Sequence, residues 1–296
     1  MFSTGYVVLL VDDEPDVLEV SKLAMKGFRV FGSRIKLHTA SSKAEAVKLY
    51  DSVLTTQDGQ CVVAAAFIDV VMESDSAGLD LCRYIREEKG NLETQIFVRT
   101  GQPGTAPERS VIDRYNISGY FTKVEATDDK LYSLTVSGCR QYEVLSTGRV
   151  ISQLANAVVA ATSREEIAGI LDYVLQALPS DSTGQTHQLV DPRVCFLIDG
   201  EIVARHPSLS EQEVASARAA LAGAGAVSLS ADGDRYVIDA QRFVLQVAGG
   251  PDRAEVTYVA CIPGQVPPTF PTQMHALARP LATLWKRAGR EVGVGV

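Results

Sequence analysis

An apolar segment that ends on one carboxylate constrains the fold more than any other feature of the sequence. Residues 62–68 read VVAAAFI, and Asp69 follows them directly. A run without polar alternation is typical of a strand that is buried on both faces, as in parallel α/β sheets. Open sheets of this kind bind ligands outside the carboxyl ends of their strands. The pattern therefore predicts that Asp69 lies at the ligand-binding edge of a parallel sheet.

Polar side chains also follow three other predicted strands of the first half. They are Asp12 and Asp13 after residues 7–11, Thr100 shortly after residues 96–98, and Lys123 after residues 119–122. Carboxylates are hard oxygen ligands that suit Mg²⁺. Three carboxylates together with one lysine predict a site for Mg²⁺ and a phosphoryl group.

Helical patterns alternate with these strands. A capping box at Ser42–Glu45 begins one helix, and Pro15 stands close to the start of another. The predicted strands are residues 7–11, 34–39, 62–68, 94–98 and 119–122, and the predicted helices follow Pro15, Ser42, Gly78, Pro107 and Asp128. Five strands that alternate with five helices predict an α/β fold with a doubly wound, five-stranded parallel sheet.

At this point residues 6 to about 127 resemble the receiver domain of two-component response regulators, a CheY-like domain with the flavodoxin-like fold. Asp69 matches the phosphoacceptor of that family. The other matching positions are Asp12 and Asp13 for the metal-binding acids, Thr100 for the hydroxyl residue, Lys123 for the lysine and Tyr120 for the switch aromatic.

The resemblance implies a chemistry for each of these positions. Asp13 and Asp69 would bind Mg²⁺ directly, Asp12 would bind it through water, and the backbone carbonyl of Val71 would complete the set. A histidine kinase or a phosphotransfer protein would phosphorylate Asp69. Lys123 and Thr100 would then hold the phosphoryl oxygens, and Tyr120 would turn into the space that Thr100 leaves.

Val124 departs from the family pattern, and Val71 bears on the lifetime of the phosphorylated state. The family usually has a proline with a cis bond after its lysine, whereas Val124 follows Lys123 here. A cis bond before another residue costs about 2.5–4 kcal/mol, which leaves a trans or a strained loop open. Val71, two residues after the acceptor, cannot orient an attacking water, so we expect a long-lived phosphorylated state, although Gln102 could still hold a water.

Each residue alone has a simpler interpretation. A single aspartate after a strand is usually a turn residue. Asp12 and Asp13 alone could form a solvated turn before a helix N-terminus, where the dipole favours them. Tyr120 alone is more often part of a core. The order and spacing of the whole set favour the receiver.

Residues 128–162 have a nearly continuous helical pattern. An apolar stripe includes Leu131, Leu134 and Tyr142 and resumes at Ile151, so the helix could pack as ordinary core or form a dimer contact. Gly148 could divide it into two helices.

The period then changes to two. A hairpin is predicted around Asp199–Gly200, further strands around residues 235–239, 243–247 and 256–261, and a last helix around residues 274–285. This pattern predicts an α+β domain of the GAF or PAS kind with an antiparallel sheet. The order of domains resembles regulators in which a receiver and a domain of unknown function precede an HD-GYP phosphodiesterase, but no HD-GYP residues follow here.

Composition narrows the class of protein. The net charge of −8 argues against a nucleic-acid partner. The first apolar run is too short for a signal peptide or a membrane span, and five scattered cysteines indicate reduced thiols in a cytoplasmic protein.

The sequence therefore predicts a two-component response regulator with a receiver at 1–127, a connecting helix at 128–162 and a GAF-like domain at 163–296. We expect Mg²⁺ as cofactor, a sensor histidine kinase or phosphotransfer protein as partner, and a homodimer, without nucleic acid or membrane. We predict no enzymatic output. The alternative is a small-ligand sensor or adaptor whose receiver does not cycle.

Overall fold

A computed structural model describes residues 5–55, 61–101, 108–176, 193–223, 225–239, 242–261, 266 and 268–291. The chain divides into two compact units between Leu145 and Ser146. No helix in the described part is long and apolar enough to cross a membrane.

The first unit is an α/β structure around a six-stranded sheet. Its strands are β1 Gly5–Val11, β2 Arg29–Val30, β3 Ser33–Ala40, β4 Val63–Asp69, β5 Gln95–Thr100 and β6 Gly119–Thr122, in the order β2-β3-β1-β4-β5-β6. Its helices are α1 Pro15–Met25, α2 Lys43–Ser52, α3 Ala77–Arg83, α4 Glu108–Tyr115 and the start of α5 Asp128–Ala160. A π-helical turn, Tyr84–Glu88, continues α3, and a 3₁₀ turn, Lys123–Glu125, follows β6.

The prediction of a purely parallel, five-stranded sheet is wrong in one respect. Strands β1 and β3 to β6 are parallel, but the two-residue strand β2 pairs antiparallel with β3. Phe31 and Gly32 both have positive φ, 47° and 78°, as a tight hairpin turn requires. The sequence did not reveal this turn, because phenylalanine rarely adopts that conformation.

The apolar run at the centre of the sheet explains the order of the layers. Every residue of β4 is buried, as expected of a central parallel strand with helices on both faces. One face of the sheet packs with α1 and α5 in a core that includes Leu18, Met25, Phe67, Phe97 and Leu131.

Helix α5 is continuous over 33 residues, from Asp128 to Ala160. The expectation that Gly148 could divide it is wrong, since one glycine costs only about 1 kcal/mol relative to alanine in a helix. Leu131 and Cys139 belong to the core of the first unit, and Leu154 and Val158 belong to that of the second.

The second unit contains an antiparallel sheet of six strands. They are β7 Arg193–Ile198, β8 Glu201–Arg205, β9 Val227–Ser228, β10 Arg235–Ile238, β11 Arg242–Val247 and β12 Val256–Cys261, in the order β8-β7-β12-β11-β10-β9. Its helices are α6 Arg164–Gln176, α7 Glu211–Ala220 and α8 Phe270–Glu291. Asp199 and Gly200 both have positive φ, which confirms the predicted hairpin between β7 and β8.

Helices cover both faces of this second sheet. The end of α5, α6 and α8 form one core with the strands, centred on Leu171, Phe243 and Leu281. Helix α7 covers the other face, where Val214 and Ala217 pack with Val244 and Val259. The predicted α+β class with an antiparallel sheet is therefore present.

Candidate functional site

The carboxyl edge of the first sheet brings two of the predicted acids together. Val11 pairs with Ile68 in the parallel register of β1 and β4, so Asp12 and Asp69 stand next to each other as these strands end. Backbone hydrogen bonds hold both positions, since Asp12 N–H donates to Ala40 O and Val70 N–H donates to Arg99 O. Both side chains are buried, with exposed fractions of 0% and 1%.

Lys123, which follows β6, joins these acids. Its Nζ lies 2.7 Å from Asp69 Oδ2, 3.1 Å from Asp12 Oδ2 and 2.5 Å from Glu14 Oε1. One amine therefore contacts three carboxylates, which reduces the repulsion among them.

Glu14 takes part in this cluster, and the sequence prediction did not include it. Oxygens of Asp12, Glu14 and Asp69 lie within 4.8 Å of one another, close enough to share a metal ion. Asp13, the predicted direct ligand, is exposed and is not in this group. The turn explains why Glu14 rather than Asp13 joins the other acids. The backbone N–H of Glu14 donates to Asp12 Oδ1 at 2.9 Å, which holds Glu14 beside the edge of the sheet.

Arg99 is a second residue that sequence reasoning missed. It lies in β5 and is 1% exposed, with Nη2 2.9 Å from Asp12 Oδ2 and Nη1 donating to Ser21 Oγ at 3.3 Å. A charged residue at the end of the run IFVR, on a strand expected to be buried on both faces, must find a counter-charge. A charged residue on a strand predicted to be buried was the feature of the sequence that could have identified Arg99.

The other predicted site residues that the structure describes are buried or half-buried. Thr100 is fully buried at the end of β5, whereas Tyr120 and Val71 are half-buried. The Lys123–Val124 peptide is trans, like every peptide bond in the described part of the chain. Gln102 lies outside the described residues.

Gly78, in the first turn of α3, keeps that helix close to the acceptor segment. A Cβ atom at this position would lie 1.8 Å from the carbonyl oxygen of Asp69, so only glycine fits. Gly78 N–H also donates to Val70 O at 3.1 Å. Helix α3 and the backbone of the acceptor are thus held together.

The surroundings shift the proton affinities of the cluster. Burial raises the pKa of Asp69, and the Asp12 charge adds to this, while the hydrogen bond from Lys123 opposes it. For Lys123, burial opposes the charged form, but the hydrogen bonds to Asp69 and Glu14 outweigh it and raise the pKa. The same lysine lowers the pKa of Glu14. Burial lowers the pKa of the Arg99 guanidinium, and Asp12 opposes that effect.

The donor set fits a divalent cation with oxygen ligands. Asp69 Oδ1 is buried and has no hydrogen-bond partner among the described residues, although such atoms are normally paired. It belongs to a group of three carboxylates, which are the ligands that Mg²⁺ prefers. The residues present therefore fit the expected ion.

A second charged cluster lies in the second unit, and we call its members, Asp232, Asp234, Arg253, His275 and Arg279, the Asp234 cluster. Asp234 is fully buried. Its Oδ1 accepts from Ala248 N–H at 2.9 Å, and its Oδ2 lies 2.8 Å from His275 Nε2 and 3.4 Å from Arg279 Nε. Both oxygens are satisfied, so this cluster fastens α8 to the loops beside β10 and β11.

Comparison with known proteins gives a partial relationship. No protein-family model matches the chain. Over 140 residues it is 41% identical to the 3'3'-cGAMP-specific phosphodiesterase 2 of Vibrio cholerae serotype O1. That match covers 47% of this chain but only 26% of the relative.

Solved receiver domains are similar to part of the chain. A response regulator receiver domain protein from Clostridium thermocellum covers 47% of it at 18% identity, with a TM-score of 0.39. The signal receiver domain of an HD domain-containing protein from Pseudomonas fluorescens Pf-5 gives the same three values. An adenylate cyclase from Rhodopirellula baltica covers 50% at 15% identity, with a TM-score of 0.41.

These similarities correct one prediction. The curated relative is named a phosphodiesterase, so the proteins to which this chain is similar include an enzyme. The prediction that this protein is not an enzyme and has no enzymatic output is therefore wrong, although the similarity covers only part of the chain.

Proposed function

We propose that this protein is a response regulator whose first unit accepts a phosphoryl group on Asp69. The single observation that supports the proposal best is the buried carboxylate of Asp69, with one oxygen bound to Lys123 and the other without a partner among the described residues. Most buried polar atoms in proteins have a hydrogen-bond partner, so an unpartnered carboxylate oxygen needs an explanation, and a ligand site provides one.

The proposed step is phosphoryl transfer from a phosphohistidine of a sensor kinase or phosphotransfer protein. An oxygen of Asp69 attacks phosphorus, the new O–P bond forms, and the P–N bond breaks with imidazole as the leaving group. Lys123 would then contact the phosphoryl oxygens, and the Thr100 hydroxyl would donate a hydrogen bond to them. Tyr120, half-buried next to β5, would respond as the switch.

Mg²⁺ is the proposed cofactor. Asp69, Asp13 and the Val71 carbonyl are the predicted ligands, with Asp12 through water, and Glu14 is a further candidate from the geometry. When bound, the ion would neutralise the charge of the carboxylates and of the incoming phosphoryl group.

The test is phosphorylation of the purified protein by acetyl phosphate with Mg²⁺, followed by mass spectrometry. We expect one added phosphoryl group, its loss in Asp69→Asn and its retention in Asp113→Asn, since Asp113 is an exposed aspartate on α4. EDTA should prevent the reaction. Full labelling of Asp69→Asn would refute the site, and an unlabelled parent protein would favour the sensor with a non-cycling receiver.

The second unit is proposed as a GAF-like domain that dimerises or binds a partner. An antiparallel six-stranded sheet with helices on both faces supports this proposal. We propose that α5 transmits the signal, because one continuous helix contributes to the cores of both units. Analytical ultracentrifugation with and without acetyl phosphate tests the dimer.

A second proposed function, turnover of a cyclic dinucleotide, follows from the curated relative. We propose that phosphorylation of Asp69 regulates such an activity. The assay incubates the protein with 3'3'-cGAMP, with and without acetyl phosphate, and separates the products by chromatography. Hydrolysis that Asp69→Asn makes insensitive to acetyl phosphate supports the link. If the protein neither binds nor hydrolyses 3'3'-cGAMP, that result would contradict the proposal.

A further inference from the structure

Arg99 contacts Asp12, an acid that the resemblance to receivers predicts to bind Mg²⁺ through water. Its Nη2 lies 2.9 Å from Asp12 Oδ2, which also contacts Lys123 Nζ at 3.1 Å. The other oxygen of Asp12 accepts the backbone N–H of Glu14. Both oxygens of Asp12 therefore have a partner in the protein, Oδ1 through a hydrogen bond and Oδ2 through ion-pair contacts that are not aligned hydrogen bonds.

The charge of the cluster changes accordingly. Three carboxylates, those of Asp12, Glu14 and Asp69, face two cations, Lys123 and Arg99. The group thus has a net charge of about −1 when all five side chains are ionised, and without Arg99 it would be about −2. Because Arg99 is 1% exposed, solvent screens its charge poorly.

We propose that Arg99 is a positioning residue that acts through Asp12 as a permanent counter-cation of the acidic edge. It keeps Asp12 in place and stabilises the metal-free site, so that the site binds Mg²⁺ weakly. This inference rests on the proposed function, since it treats the edge as a Mg²⁺ and phosphoryl site.

The geometry of the guanidinium supports a role beyond packing. Nε and Nη2 of Arg99 have no properly aligned hydrogen bond among the described residues, although Nη2 lies at ion-pair distance from Asp12. By contrast, the three nitrogens of Arg86 all donate to backbone carbonyls. Arg99 instead acts mainly through its charge.

The first experiment measures Mg²⁺ binding by isothermal titration calorimetry on the full chain, without any phosphodonor. Arg99→Met keeps the length of the side chain and removes its charge, and Arg99→Lys keeps the charge. We expect Arg99→Met to bind Mg²⁺ about tenfold more tightly than the parent, and Arg99→Lys to stay within about twofold. An unchanged or weaker affinity in Arg99→Met would overturn the proposal.

A second experiment covers the case in which Arg99→Met does not fold. In EDTA, Asp12→Asn should lower the midpoint of thermal unfolding by roughly 5 °C, because Arg99 loses its counter-charge while buried. Asp113→Asn is the matched control, since Asp113 is an exposed aspartate on α4 of the first unit and lies outside the cluster. If repulsion among acids dominated the metal-free site, Asp12→Asn would raise the midpoint, and that result would overturn the role of Arg99.

Neither measurement involves a phosphoryl group. Failed phosphorylation with the expected Mg²⁺ and unfolding results would refute the proposed function and leave the counter-cation role of Arg99 in place. The opposite pattern would refute only the role of Arg99.

Discussion

Both units of this protein contain a buried aspartate beside cations, but the two aspartates are satisfied to different degrees. Asp234 accepts a backbone N–H on one oxygen and contacts His275 with the other. Asp69 contacts Lys123 with one oxygen, and its other oxygen has no hydrogen-bond partner among the described residues. The two aspartates are therefore alike in burial but differ in how many of their oxygens have a hydrogen-bond partner.

The pKa values of Asp234 and Asp69 also shift in opposite directions. Burial alone would raise the pKa of Asp234, but the hydrogen bonds from His275 and the Ala248 amide outweigh it and lower the pKa. At Asp69 burial is the larger effect, so its pKa is raised despite Lys123. The environment of Asp234 favours the ionised carboxylate. The environment of Asp69 disfavours the ionised form and leaves that carboxylate available for a new bond.

The largest expected effect concerns stability. Asp234→Asn should lower the free energy of unfolding of the second unit by roughly 2–4 kcal/mol, because Arg253 and Arg279 lose their buried counter-charge. Asp69→Asn, the same substitution at equal burial, should change stability by no more than about 1 kcal/mol. Urea unfolding followed by the fluorescence of Trp285, the single tryptophan, monitors the second unit, and circular dichroism follows the whole chain. Equal losses in the two variants would contradict the comparison.

The pH dependence of these two variants should have opposite signs. A lowered pKa means that ionised Asp234 adds stability above its unfolded pKa of about 3.9 and loses it as pH falls through the folded value. The deficit of Asp234→Asn should therefore shrink between pH 7 and pH 3. Ionisation of Asp69 costs stability as pH rises from about 3.9 through its raised pKa, so Asp69→Asn should gain on the parent toward neutral pH. Unfolding curves at pH 3, 5 and 7 check both slopes, and parallel slopes would be inconsistent with this assignment.

The sequence predicted the parts of the first unit that depend on topology. In parallel strands with short connections, Asp12, Asp69 and Lys123 must follow their strands onto one edge, and the structure brings these three within ion-pair distance. Arg99 and Glu14 were missed because their roles depend on which way side chains turn at the edge. The function of Asp69 stays a prediction until phosphorylation is measured.

The second unit was harder to predict for a related reason. Asp232-Gly233-Asp234 has the pattern of a surface turn, and the chain does form a turn there. Asp234 is nevertheless buried, because its partners Arg253 and His275 come from a distant hairpin and a helix. Sequence periodicity contains no information on such a contact. The short strands β2 and β9 were also missed, since two residues are too few to show alternation.

A smaller effect is expected at the cation of the first unit. Lys123→Ala should fold, with a loss of about 1–2 kcal/mol, because the lysine is partly exposed and Arg99 still neutralises Asp12. Its rate of phosphorylation by acetyl phosphate should fall at least tenfold, since the phosphoryl oxygens lose their cation. Lys130→Ala, at an exposed lysine in the first turn of α5, is the control. An unchanged rate in Lys123→Ala would count against the role of the amine.

The smallest expected effect is on the lifetime of the phosphorylated state. Hydrolysis needs a water aligned behind phosphorus, and we expect the side chain two residues after the acceptor to lie close to the path of that water. Val71 is half-buried and has neither donor nor acceptor in its side chain, so it should exclude this water. Val71→Asn should hold a water and shorten the lifetime several-fold, which corresponds to about 1 kcal/mol in the barrier. Val71→Ala separates the two causes, because it opens space without adding a polar group. Decay is followed by mass spectrometry after removal of acetyl phosphate at constant Mg²⁺. If Val71→Asn decays no faster than Val71→Ala, space rather than a held water determines the lifetime; if neither differs from the parent, Val71 does not determine it at all.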